Sequence, residues 1–320
     1  MKVLITRDIP HNGIAKLKQF PELELDTRTG PPLAKEELIK GVSDADAVLV
    51  VIPDKVDKDV IAAGTKLKLI ACYSVGYDHV DTDYAKSKGI FVSNTPGDLT
   101  EAVAEHAFAL MMAVGRRIVE ADFFVRDGHY KYWDPLIFLG PKMMGKTLGI
   151  VGFGRIGQHL ARMAQNGLHM DILYTDIRKA GKETSGVNAT QVSMEELLAR
   201  SDIVSLHCNL TEETKYMINA NTLKLMKPYA ILINTARGPV VHEAALTEAL
   251  KNNWVAGAGL DVFENEPKVH PELLKLPNVI LTPHIASATR EARIQMAGMA
   301  VDNVIEVLIK NNQPLNWVNK

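Results

Sequence analysis

The chain has 320 residues, 47% of them hydrophobic and 23% charged, with a formal net charge of −2. That length suits two domains of roughly 100–200 residues each, and the near-neutral charge excludes the basic footprint of a nucleic-acid or acidic-membrane binder. No apolar run nears the ~18 residues of a membrane span, and the start, Met1-Lys2-Val3-Leu4-Ile5-Thr6, lacks a signal-peptide pattern.

In the first hundred residues, apolar runs alternate with helical patterns. Strands are predicted over residues 3–6, 47–52, 67–73 and 90–93, and helices over 13–19, 35–40 and 82–88. This rhythm predicts an α/β domain with a mostly parallel sheet. Its strands run into Ser74-Val75-Gly76-Tyr77-Asp78 and Asn94-Thr95-Pro96-Gly97, and in open α/β sheets ligands collect beyond the carboxyl ends of strands. Residues 99–117 follow as a long helix, too evenly apolar for the surface, expected to cross from one domain to the next. Residues 121–144 are rich in Phe, Tyr and Trp, in a chain only 6% aromatic. We read them as an arm that covers a partner subunit, in preference to core packing under a loop.

The next stretch carries the strongest local signal. Leu148 to Val151 reads as a buried strand, and Gly152-Phe153-Gly154-Arg155-Ile156-Gly157 leads into a helical pattern over 158–166. In such a G-x-G-x-x-G loop the first glycine turns the chain and the second admits a pyrophosphate. The third packs helix on strand, with the diphosphate at the helix N-terminus. A second strand over 170–174 ends at Asp176, which lies 19 positions beyond Gly157. An acid about 20 residues on is placed to hold the adenosine ribose hydroxyls. Further strands over 203–207, 230–234, 255–260 and 279–282, with helices over 194–200, 220–225 and 243–251, complete a doubly wound domain. A last helix over 289–309 has no strand after it and is expected to return onto the first domain.

Three polar side chains stand at strand ends of this second domain: Arg237 in Asn234-Thr235-Ala236-Arg237-Gly238, Glu266 before Pro267, and His284 after Thr282-Pro283. A guanidinium fork matches a carboxylate bidentately. Histidine is the natural proton donor near neutral pH, and a carboxylate paired with it favours the imidazolium and fixes the ring. The set suits reduction of a 2-oxo acid, although each residue alone is as readily a solvated strand-end group. Of the ten histidines, His207 also ends a strand and reads as a loop or cofactor-contact residue, while His106 reads as a packing histidine. Cys72 and Cys208 have no metal-ligand spacing, so both read as small buried residues. Two unpaired thiols fit a reducing cytoplasm, and no metal is expected.

Together these segments resemble the D-isomer-specific 2-hydroxyacid dehydrogenases along essentially the whole chain. The match rests on the glycine loop, Asn234-Thr235-Ala236-Arg237-Gly238, Gly259-Leu260-Asp261-Val262-Phe263 with Glu266-Pro267, and Thr282-Pro283-His284-Ile285-Ala286. The resemblance implies a Rossmann-type cofactor domain, residues 99–286, inserted into a discontinuous flavodoxin-like substrate domain, residues 1–98 plus 287–320, with catalysis in the cleft between them. It implies a homodimer through the 121–144 arm. It assigns catalysis to Arg237, Glu266 and His284, and substrate binding to Ser74, Val75, Gly76 and Arg237. Cofactor contacts fall to Val103, Gly152, Gly154, Arg155, Ile156, Gly157, Asp176, His207, Thr235, Ala236, Asp261 and His284, with Asp261 holding the nicotinamide amide. Trp133-Asp134-Pro135 with Phe138-Leu139-Gly140, and Asn94-Thr95-Pro96-Gly97-Asp98-Leu99-Thr100, are similar to the glyoxylate/hydroxypyruvate reductase branch. Glu101-Ala102-Val103-Ala104-Glu105-His106 departs from that branch's usual Asp-Ala-Thr-Ala-Asp. The carboxylate of Asp176 predicts NAD(H), with NADP(H) left open by the nearby Arg178.

Overall fold

A computed structural model describes residues 1–97, 99–177 and 186–320. The chain divides into two compact units, one of Met1–Leu99 with Ala288–Lys320 and one of Thr100–Ser287.

The first unit holds five parallel strands: β1 (Lys2–Ile5), β2 (Glu24–Thr27), β3 (Ala47–Val50), β4 (Leu69–Cys72) and β5 (Phe91–Ser93). Their order, β2-β1-β3-β4-β5, is the flavodoxin-like arrangement. Strands β1, β3 and β4 are apolar and buried on both faces, as a sheet covered by helices requires. The covering helices are α1 (His11–Leu17), α2 (Lys35–Val42), α3 (Lys58–Ala63) and α4 (Thr82–Ser87). The β2 edge strand is absent from the sequence reading because Glu24-Leu25-Asp26-Thr27 is short, half-exposed and polar.

The last helix, α11 (Arg290–Leu308), belongs to this unit. Its N-cap Thr289 accepts the Ala292 N–H at 3.1 Å. It packs against α1 so closely that a Cβ on Gly13 would lie 3.0 Å from the Ala297 Cβ. Beyond it, Val318 donates to the Val92 carbonyl at 2.9 Å, so the tail covers the β5 edge.

The second unit begins with α5 (Leu99–Gly115), which ends two residues earlier than expected, and α6 (Ile118–Arg126). Among the described residues seven parallel strands follow: β6 (Thr147–Val151), β7 (Asp171–Thr175), β8 (Ala189–Gln191), β9 (Ile203–Leu206), β10 (Ile231–Asn234), β11 (Gly257–Leu260) and β12 (Val279–Leu281). Their order is β12-β11-β10-β9-β6-β7-β8, so the winding reverses between β6 and β9. Strand β8 also escapes the sequence reading, being a three-residue polar edge. Between strands lie α7 (Arg155–Leu168), α8 (Met194–Arg200), α9 (Ala220–Leu223) and α10 (Glu243–Lys251).

Alternate strand residues face two cores. Val204, Leu206 and Leu232 pack with Leu197, Leu246 and Leu250 on one face. Ile203, Ile231 and Ile233 pack with Leu110, Met111 and Leu160 on the other. Helix α7 buries Gly157, Leu160, Ala161 and Ala164, one face at helical spacing. Among the described residues no helix is long and apolar enough to cross a membrane, and no group of three or more His, Cys, Asp or Glu side chains could hold a metal.

Candidate active site

The glycine loop sits where the winding of the second sheet reverses, beyond the carboxyl end of β6, the place where doubly wound sheets collect ligands. Gly152 has φ +90°, and a Cβ there would lie 2.6 Å from the Cys208 nitrogen. Gly157 presses helix onto turn, since its Cβ would meet the Gly152 carbonyl at 2.4 Å. Gly154 differs: it caps α7 with nothing within 4 Å of a Cβ. It therefore leaves an open approach to the helix N-terminus, where N–H groups and dipole favour an anion. Asp176, at the end of β7, accepts the Phe153 N–H at 2.7 Å through Oδ2, which puts its carboxylate at the rim of this loop. Arg178 lies outside the described residues.

Among the described residues, two buried polar atoms near the adjoining strand ends have no hydrogen-bond partner: Thr235 Oγ1 after β10 and His207 Nδ1 after β9. His207 Nε2 bonds Ser205 Oγ at 2.8 Å, and burial pushes the imidazole down to about 4. Orphaned buried groups of this kind ask for a ligand or ordered water, and with the open Gly154 approach they fit a dinucleotide laid across the strand ends. Burial also pushes the Cys208 thiol up to about 11 and Cys72 to about 12, so neither serves as a nucleophile.

Arg237 follows β10 directly. The Asn234 side chain holds its turn from both sides, with Oδ1 accepting the Ala236 N–H and Nδ2 donating to the Arg237 carbonyl, each at 3.0 Å. Gly238 lets that turn touch the next one, because a Cβ there would stand 1.8 Å from the Phe263 carbonyl oxygen. The touching segment carries Glu266, whose Oε1 accepts the Phe263 N–H at 3.0 Å. Its Oε2 lies 2.8 Å from His284 Nδ1. The structure thus brings Glu266 and His284 into contact and holds the Arg237 turn against the Glu266 segment.

His284 takes φ +53°, a left-handed conformation that histidine tolerates better than most residues. Asp261, at the end of β11, holds this turn. Its carbonyl accepts the His284 N–H at 2.8 Å. Its carboxylate accepts Ile285 N–H at 2.9 Å, Ala286 N–H at 2.8 Å and the Thr282 hydroxyl at 2.6 Å. His106 of α5 completes the group, 3.1 Å from Thr282 Oγ1 and 3.4 Å from Asp261 Oδ1. Burial opposes the charge on Asp261, but the hydrogen bonds from His106, Thr282 and the two N–H groups together hold its carboxyl below the ordinary value.

Asp261 is wholly buried and its oxygens hold the His284 turn, a positioning role that stands beside the nicotinamide contact the family resemblance implies. Sequence reasoning missed this role, and with it Thr282 and the engagement of His106. Only the clustering of Asp261 and His284 at neighbouring strand ends could have hinted at it.

In the first unit, the 74–76 loop follows β4. Its three carbonyls are all engaged: Ser74 by the Thr95 N–H at 2.9 Å, Val75 by Asn94 Nδ2 at 2.7 Å, and Gly76 by Ser74 Oγ at 2.6 Å. These bonds fix the path of the loop beyond β4. Val103, on α5, is half-buried.

Comparison with known proteins follows the same outline. Residues 108–286 match the family described as D-isomer specific 2-hydroxyacid dehydrogenase, NAD binding domain. The chain is 52% identical over 325 residues to a glyoxylate reductase of Thermococcus litoralis, covering 100% of this chain and 97% of the relative. A crystal structure of a protein from Thermus thermophilus superposes with a TM-score of 0.93 at 43% identity, covering 99% of this chain and 100% of that one. An NADPH-dependent glyoxylate/hydroxypyruvate reductase from Sinorhizobium meliloti superposes with a TM-score of 0.82 at 31% identity, covering 99% and 96%. The likeness covers the full length and includes the segments that present Arg237, Glu266 and His284. The chain belongs to the D-isomer specific 2-hydroxyacid dehydrogenases.

Proposed function

We propose that this protein reduces small 2-oxo acids, glyoxylate and hydroxypyruvate first, to the corresponding 2-hydroxy acids. The observation that carries the reading is the contact of Glu266 with His284 Nδ1, on a turn fixed by Asp261. With Nδ1 held by the carboxylate, the ring has Nε2 left to give a proton to the oxygen of the 2-oxo group. When bound, the nicotinamide dinucleotide supplies the hydride. Arg237 binds the substrate carboxylate, and Glu266 orients His284 through the 2.8 Å contact at Nδ1. Ser74, Val75 and Gly76 serve as a carboxylate-binding loop, a reading supported by the engagement of all three of their carbonyls within the protein. The name of the Thermococcus litoralis relative supports glyoxylate as substrate.

The cofactor assignment is NADH. A carboxylate at the loop rim accepts hydrogen bonds from a ribose diol and repels a 2′-phosphate, which supports Asp176 as the selecting group. Val103, Arg155, Ile156, His207, Thr235 and Ala236 complete the proposed cofactor contacts. The test is NADH and NADPH oxidation with glyoxylate, hydroxypyruvate, pyruvate and 2-ketogluconate. Absence of turnover with every acid, or a faster rate with NADPH at equal low concentration, overturns the respective half of this reading.

The protein acts as a homodimer in the cytoplasm on this reading. Phe123, Tyr130, Tyr132, Trp133, Leu136 and Leu139 are all more than half exposed, an apolar surface that supports burial by a second copy. Light scattering should give about twice the 35.2 kDa of one chain.

A further inference from the structure

Glu243 is a buried carboxylate that the proposed chemistry does not use. It is the first residue of α10 and only 6% exposed. Both its oxygens are given to one loop. Oε1 accepts the Glu264 N–H at 2.5 Å, and Oε2 accepts the His270 N–H at 3.1 Å. Those two donors stand on either side of Glu266. The contact is returned: Glu264 Oε2 accepts the Glu243 N–H at 3.0 Å, and Glu264 Oε1 accepts the Tyr216 hydroxyl at 2.7 Å.

A carboxylate buried among backbone donors is expensive to desolvate, and simple packing of α10 would be served by an apolar side chain. What the carboxylate provides is a fixed path for the loop. Residues 265–268 are exposed and make little core contact of their own. The loop has internal ties, the Lys268 N–H to the Asn265 carbonyl at 2.9 Å and the Phe263 N–H to Glu266 Oε1 at 3.0 Å, and the Glu243 carboxylate adds the bonds that fasten both of its ends to α10, beside the 2.8 Å contact with His284.

We propose that Glu243 is a positioning residue for the reduction: it clasps the 264–270 loop on both sides of Glu266 and so sets the placement of Glu266 against His284. The inference rests on the assignment of that pair as the proton-donating machinery.

Glu243→Gln keeps the shape but turns one acceptor into an amide donor facing an N–H group. The expected result is a loss of about 10- to 100-fold in kcat with glyoxylate, as a small misplacement of a reacting group gives. KM for glyoxylate and the Kd for NADH should stay within about threefold, since Glu243 is buried with both oxygens taken by backbone N–H groups. The deciding readout is the double variant. If Glu243 acts through Glu266, adding Glu243→Gln to Glu266→Gln lowers kcat no further, whereas a purely structural role multiplies the two losses. Should Glu243→Gln fail to fold, Glu264→Gln with Tyr216→Phe loosens the same clasp from its outer side, with the same non-additivity expected. An unchanged kcat, or multiplied losses in an active wild-type background, overturns the clasp alone. A wild-type protein inactive on every 2-oxo acid removes the assignment on which it stands.

Discussion

The carboxylate of Glu266 bridges two segments, accepting the Phe263 N–H through Oε1 at 3.0 Å and meeting His284 Nδ1 through Oε2 at 2.8 Å. One oxygen fixes the carboxylate and the other fixes the imidazole, so the histidine has its orientation before substrate arrives. Replacing His284 by alanine should lower kcat by about 10²- to 10⁴-fold, the range of general acid catalysis, with a far smaller change in NADH affinity in a fluorescence titration. Glu266→Gln should give a smaller loss of kcat. Turnover retained in His284→Ala would place the proton donor elsewhere.

The glycines of the phosphate loop divide into two kinds, and the division is measurable. Gly154→Ala adds a methyl to open space, so its melting temperature should match the wild type within about a degree. The same methyl enters the approach to the α7 N-terminus, so NADH binding should weaken about tenfold or more. Gly157→Ala forces a Cβ to 2.4 Å from the Gly152 carbonyl, and overpacking of this kind costs about 1–3 kcal/mol. Equal NADH affinity for Gly154→Ala and wild type would argue against a diphosphate at this loop.

His207 makes stability depend on pH in a stated direction. Burial depresses its folded-state pKa to about 4, below the ordinary histidine value of about 6.5. The unfolded chain therefore binds the proton more readily between those two values. The contribution is fully present above about pH 6.5 and is lost as pH falls toward 4. It amounts to on the order of 2 kcal/mol, set below the full shift because His207 keeps part of its surface in water. His207→Gln should flatten urea-derived stability between about pH 6.5 and 4 relative to the wild type. An unchanged acid limb would mean that other groups carry it.

Most of the fold was legible because its strands are apolar on both faces, and α8 (Met194–Arg200) matched the expected residues. The losses include β2 and β8, whose polar, exposed edge positions carry no burial signal, and α6, read as part of the aromatic arm. Strand-end placement drew attention to Arg237, Glu266 and His284, because polar groups after apolar runs stand out in one dimension. Their supports did not stand out. Asp261 reads as one acid in a motif until the Ile285 and Ala286 N–H groups turn back onto it, 24 and 25 residues away. Glu243 looks like any first-turn helix glutamate, and its partners Glu264 and His270 lie 21 and 27 residues downstream. Long-range hydrogen bonds of this kind have no local pattern to detect.

Asp176 makes the most direct claim about cofactor choice, and it has two jobs that must be separated. Its Oδ2 accepts the Phe153 N–H at 2.7 Å, so removing the side chain would loosen the glycine loop whatever cofactor is used. Asp176→Asn keeps an oxygen acceptor for that N–H while discarding the negative charge. The melting temperature of this variant should therefore stay close to wild type. Its preference should shift toward NADPH, because repulsion of the 2′-phosphate is relieved and the ribose diol loses its charged acceptor. A shift of roughly tenfold in the ratio of kcat/KM for NADPH over NADH corresponds to about 1.4 kcal/mol, a modest charge effect at a half-buried site. Asp176→Ala should show the same change in preference together with a lower melting temperature. If the ratio stays constant in both variants while stability falls in the alanine one, Asp176 is a brace for the loop and cofactor selection lies with another residue.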